Sequence, residues 1–199
     1  VSALAAAVEP ATPERVMGLD LGSRMAWAIG YANSRPRLGA DRLRQPNEIV
    51  HSATSRLLIR LFNLFDSKYR PGLVVIERVW VQGQKHPDVA ELMVASKHIV
   101  VAACNFYGIR YCVVDSSTVA KFCVGKGRWS QAEGGRAAKK IAIQNFCAKR
   151  ELIDLEEIDD SDKADAVALW FYGCHAVARI PEQELMMFGE APPDAYEET

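Results

Sequence analysis

The sequence predicts an α/β domain built on a mixed sheet of about five strands flanked by helices. Two observations predict it: two short apolar runs separated only by a tight turn, and later apolar runs of strand length alternating with stretches of helical period. The close pair reads as antiparallel, and the later strands need helical crossovers.

Taken in order, Val16–Leu21 and Met25–Tyr31 form a hairpin around Gly22-Ser23. A weak third strand falls somewhere in 35–50. Residues 53–69 carry Leu57, Leu58, Leu61, Phe62, Leu64 and Phe65 at helical spacing before Pro71-Gly72 breaks the chain. LVVIE at 73–77 is a buried strand, 88–107 a long helix closed by Gly108, and RYCVV at 110–114 a further strand. Asp115, Ser116 or Ser117 caps a short helix through Phe122, and 125–135 is a glycine-bearing basic loop. Helices at about 136–150 and 161–178 complete the domain, 14–180, between tails at 1–13 and 181–199.

At 199 residues, 22.0 kDa and 49% hydrophobic, the chain is large and apolar enough for one core, which excludes disorder and fibres. No unbroken run of 18 apolar residues occurs, and the first 15 residues lack the basic start and apolar core of a signal peptide. The expectation is a cytoplasmic protein with no membrane partner. Cys104, Cys112, Cys123, Cys147 and Cys174 form no CxxC pair and read as buried thiols.

The net charge of −1 hides a strong segregation. Residues 151–165 hold eight acids and one base, and 181–199 hold six acids and no base. Removing these from 25 acids and 24 bases leaves 11 against 23, a basic body of +12. Between Lys121 and Arg150 stand eight bases (Lys121, Lys126, Arg128, Arg136, Lys139, Lys140, Lys149, Arg150) against Glu133 alone, and Arg35, Arg37, Arg42 and Arg44 form a second run. Such runs fit a polyanionic partner, because each cation placed on a phosphate releases a counterion.

Within this body, certain carboxylates stand out. Asp20 interrupts an apolar strand just before a tight turn, and Glu77 ends LVVIE, where open α/β sheets collect ligand groups. Either has a simpler reading: a turn former for Asp20, and a partner of Arg78 for Glu77. Asp162 and Asp165, three apart on one helix, share a face, and Ala164, Ala166, Ala168 and Leu169 let that helix lie close to the sheet. Four carboxylates on three elements suit hard divalent cations such as Mg²⁺, two of which can clamp the attacking and leaving oxygens of a phosphodiester hydrolysis.

GLDLGS at 18–23, VVIERVW at 74–80 and SDKADAVALW at 161–170 resemble, in order and spacing, the three acidic motifs of the RuvC-type Holliday junction resolvases of the RNase H-like superfamily. The resemblance covers about 16–178. It implies an RNase H-like fold and an endonuclease that nicks four-way DNA junctions in recombination and repair, in a bacterial cell or a phage-infected host. It also implies that Asp20, Glu77, Asp162 and Asp165 bind Mg²⁺ or Mn²⁺, two ions per site, with a metal-activated water attacking the phosphate. By the same resemblance Trp80 is an aromatic residue that acts at the junction centre, and an aromatic face there can stack on an unpaired base. VAKFCVGKG at 119–127 is similar to the family's phosphate-contacting segment, with Lys121 as the matching catalytic lysine. Lys126, Arg128, Lys139 and Lys140 are DNA-binding candidates by charge alone. A second catalytic lysine found in some members falls near Gln131, a departure that leaves its role to another cation such as Lys126 or Arg128.

Family members act as homodimers, and the apolar residues Leu92, Met93, Ile99, Val100 and Val101 resemble their dimer helix; a simpler reading is that these residues cover the sheet. His51, His86, His98 and His175 show no metal-ligand pairing. Other readings of the same residues are a different RNase H-like nuclease, a nucleic-acid-binding module without catalysis, and an ATP-binding fold of the actin type, which a chain this short argues against.

Overall fold

The computed structural model describes residues 14–46, 48–79, 87–154 and 156–180. Five strands, β1 (Arg15–Leu21), β2 (Arg24–Tyr31), β3 (Arg37–Arg42), β4 (Leu73–Glu77) and β5 (Arg110–Val114), form one sheet in the order β3-β2-β1-β4-β5. β1, β2 and β3 pair antiparallel, whereas β4 and β5 join in parallel. The helices are α1 (Val50–Phe65), α2 (Pro87–Tyr107), α3 (Ser116–Val124), α4 (Gly135–Lys149) and α5 (Ser161–Tyr172), the last followed by a π turn at Gly173–Val177. The mixed α/β sheet predicted from the sequence is therefore present, with the weak third strand confined to six residues.

Strand periodicity divides the core in two. Met17, Leu19 and Leu21 of β1, with Val74 and Ile76 of β4, pack under α1 and α2. Val16, Leu73 and Val75 face α3, α4 and α5. Because side chains alternate along a strand, Gly18 and Asp20 share this second face, as does Glu77. The parallel register pairs Gly18 with Val75 and Leu19 with Ile76, so Asp20 and Glu77 are next in line on neighbouring strands. α5 carries the centre of this layer, with Ala164, Ala166, Val167, Leu169, Trp170 and Phe171 all buried, and the Trp170 indole N–H donates to the Gly30 carbonyl at 3.2 Å. Full burial of a large apolar side chain contributes about 1.5–3 kcal/mol.

Two expectations change, and α2 adds a fact to a third. α2 is long and apolar enough, by length and composition, to cross a membrane, because its scattered polar residues break the apolar run without lowering its average much. In this fold it packs along α1 and buries Leu92, Ser96, Val100, Ala103 and Cys104. Leu92 and Val100, read from the resemblance as dimer-helix residues, are therefore core residues of the protomer. Of the five thiols, Cys112 and Cys123 are only partly buried, and none is in a disulfide.

Candidate active site

α5 begins where β1 and β4 end. Asp160 is its N-cap and accepts from the backbone N–H groups of Asp162 and Lys163 at 3.2 and 3.3 Å, which orients the first turn. The helix can lie directly on the sheet because two glycines remove the obstacle. A Cβ on Gly18 would stand 2.3 Å from the Ala166 carbonyl oxygen, and one on Gly173 would stand 2.6 Å from Val16 Cγ1. Asp162 and Asp165 are thereby brought over the strand ends, and with Asp20 and Glu77 they line one cleft of about 290 Å³. Leu21, Arg78, Val79, Met93, Ser116, Arg136, Lys139 and Lys140 complete its wall.

The electrostatics of the cleft are uneven. Burial, reinforced by Asp165, Glu77 and Asp162, pushes the Asp20 carboxyl up to about 8 despite an opposing pull from Lys140. Burial likewise raises Asp165 to about 6, against the pull of Lys139 and Lys140. Among the described residues, the side-chain carboxyls of Asp20, Glu77 and Asp165 accept no hydrogen bond and make no ion pair. Asp162 differs: Arg24 lies 3.3 Å from one oxygen and Lys140 3.5 Å from the other. Arg78, the alternative partner for Glu77, turns instead to Asp115 at 3.3 Å, an ion pair too poorly aligned to be a hydrogen bond.

Among the described residues, no three His, Cys, Asp or Glu side chains stand arranged as a ready ion site. In kind, the residues still fit a hard divalent cation. The donors are all carboxylate oxygens, Asp20, Glu77 and Asp165 make no ion pair among the described residues, and burial makes charge costly on Asp20 and Asp165.

A larger cavity, about 430 Å³, lies at the opposite end of the sheet among Arg15, Tyr31, Arg35, Arg37 and Tyr69. It contains none of the four carboxylates, so volume alone does not locate the chemistry.

Comparison with known proteins rests on shape. The sequence matches no family model and no curated protein. Superposed on solved structures, the chain aligns with Thermus thermophilus RuvC in complex with a Holliday junction substrate at a TM-score of 0.60 and 18% identity, over 83% of this chain and 95% of that one. It has the RuvC fold. A second Thermus thermophilus RuvC structure gives 0.58 and 18%, covering 82% and 96%. A yeast mitochondrial Holliday junction resolvase gives 0.45 and 14%, covering 89% and 85%.

On this RuvC-like, RNase H-like frame, the four carboxylates named from the sequence come together, as do Lys139 and Lys140. Lys121 does not line the cleft. It sits exposed in the last turn of α3, beside Gly127, because Val119 and Ala120 are the residues that turn inward. Lys126 is paired with Glu133 and stacked 5.7 Å from the Trp129 ring, and Arg128 is exposed outside the cleft. Gln131 lies in an exposed 3₁₀ turn (Gln131–Glu133) away from the cleft. Trp80 lies outside the described residues. Sequence reasoning missed Arg24 and Ser116 and did not single out Arg136. Arg24 had a signal, since it directly follows the GS turn behind Asp20, whereas Ser116 is recognisable only once β5 is known to end beside β4.

Proposed function

We propose that this protein is a metal-dependent, structure-selective endodeoxyribonuclease that resolves four-way DNA junctions by paired nicking. The observation that carries this reading is the closure of four carboxylates from β1, β4 and α5 on one cleft whose wall bears Arg136, Lys139 and Lys140. Its fold is shared with a RuvC solved on a Holliday junction. Asp20, Glu77, Asp162 and Asp165 would hold Mg²⁺ or Mn²⁺, which supplies Lewis-acid charge at the scissile phosphate and an activated water.

The chain's own residues do the rest. Asp20 gives up its proton as positive charge arrives. Lys139, hydrogen-bonded to the Ser116 hydroxyl, is held on the wall shared with Asp165 and Glu77, where it can meet phosphate charge. Arg136 and Lys140 extend that cationic wall, and the exposed Lys121 and Arg128 lie where a DNA arm could reach them from outside. Trp80 is assigned to the junction centre by resemblance. Two symmetric nicks require two clefts related by a two-fold axis, so the working form is a homodimer, acting in the cytoplasm.

The test is nicking of a mobile four-way junction in Mg²⁺ or Mn²⁺, beside linear duplex, flap and RNA–DNA hybrid, by wild type and Asp20→Asn. Paired symmetric nicks confined to the junction, with Asp20→Asn binding but not cutting, are the expected result. Cutting of flap or hybrid as well moves the reading to a broader RNase H-like nuclease. Binding without metal-dependent cutting leaves a binding module.

A further inference from the structure

Arg24 stands at the start of β2, and its guanidinium is shared between two acids of α5: Nη2 lies 2.8 Å from Asp160 Oδ2, and Nη1 3.3 Å from Asp162 Oδ2. On its other oxygen Asp162 meets Lys140, which also donates to the Ser161 hydroxyl at 2.7 Å. Among the described residues, Asp162 is the one cleft carboxylate in an ion pair and is thus held from both sides, while Asp20, Glu77 and Asp165 make none there. We propose that Arg24 is a positioning residue that competes with a divalent cation for Asp162, and that Asp160 is the acid onto which Arg24 retreats when the cation binds. This rests on the reading of the cleft as a divalent-cation site.

The geometry gives the two acids different duties. Asp160 meets Arg24 through both oxygens and also caps α5, so it stays in place when Asp162 leaves. Asp162 has only the longer contacts of 3.3 and 3.5 Å, which are the easier ones to break. A guanidinium stays charged at any working pH, so the competition is not removed by titration. Removing Arg24 therefore frees Asp162 and tightens cation binding. Removing the charge of Asp160 throws Arg24 wholly onto Asp162 and weakens it. An asparagine at 160 is an equally good N-cap, so Asp160→Asn leaves the helix start intact.

Mn²⁺ binding, read from the loss of the free-ion electron paramagnetic resonance signal, tests this on the full chain without any cleavage assay. Arg24→Gln is expected to tighten Mn²⁺ binding about two- to fivefold, the range a partly exposed ion pair spans. Arg24→Lys is expected to restore most of the wild-type value, and Asp160→Asn to weaken binding by a similar factor. The double variant Arg24→Gln/Asp160→Asn decides between competition and a simple field effect. Competition requires that Asp160→Asn lose its effect once Arg24 is gone. Additive effects, or an unchanged affinity in Arg24→Gln while wild type binds and Asp20→Asn does not, overturn the proposal alone. Absence of any wild-type Mn²⁺ binding overturns the reading of the cleft, and the proposal with it.

Discussion

Gly18 of β1 lies directly beneath the backbone of Ala166 in α5, where a Cβ would come within 2.3 Å of the carbonyl oxygen and 2.4 Å of the Trp170 amide nitrogen. Both contacts are with backbone, which cannot swing aside as a side chain can. This close approach is what lets Asp162 and Asp165 share a cleft with Asp20, two residues further along the same strand.

Gly18→Val is therefore expected to lower stability by about 3 kcal/mol or more, since overpacking against a fixed backbone exceeds the usual range for core enlargements. Urea unfolding of wild type and variant measures this. A loss below about 1 kcal/mol would mean that α5 can lift off the sheet at little cost.

The raised carboxyls make metal-free stability fall as pH rises. In the unfolded chain both Asp20 and Asp165 ionise near their ordinary range, whereas the folded protein keeps the proton on Asp165 to about 6 and on Asp20 to about 8. Between those limits the folded state binds more protons than the unfolded one, so each unit of pH costs stability. Thermal melts in a chelator are expected to show the midpoint falling from about pH 5 to about pH 8, with the slope above about pH 6 abolished in Asp20→Asn. A midpoint that rises over this interval would contradict the burial of Asp20.

The pattern of apolar runs reveals the sheet because strand and helix periods are local properties of the chain. The four carboxylates were legible for a related reason: Asp20 and Glu77 sit at strand ends where charge has no structural use, and Asp162 and Asp165 share a helix face. The cations were harder. The motif points to Lys121 and charge to Lys126, but Lys121 lies outside the cleft and Lys126 is paired with Glu133. Which base reaches a cleft depends on the direction in which α3 and α4 cross the sheet, and no local pattern encodes that. The alanines of α5 point to its tight seat, yet Gly18, distant in sequence, and Gly173, just past the end of the helix, are what permit it.

Lys139 and Lys121 are expected to separate chemistry from binding. Lys139 lines the cleft with Glu77 and Asp165 and is fixed by Ser116, so Lys139→Ala removes a positive charge from the place where phosphate charge would develop. Cleavage at saturating protein is expected to fall about 100-fold or more, with junction binding changed only slightly. Lys121 is exposed and outside the cleft, so Lys121→Ala is expected to leave saturated cleavage near wild type and to reduce the salt dependence of binding by about one counterion. Single-turnover rates and binding isotherms at several salt concentrations measure both. The reverse outcome, with Lys121→Ala abolishing cleavage and Lys139→Ala altering only the salt slope, would require α3 to turn toward the strand ends when DNA binds, and would restore to Lys121 the catalytic role its motif suggests.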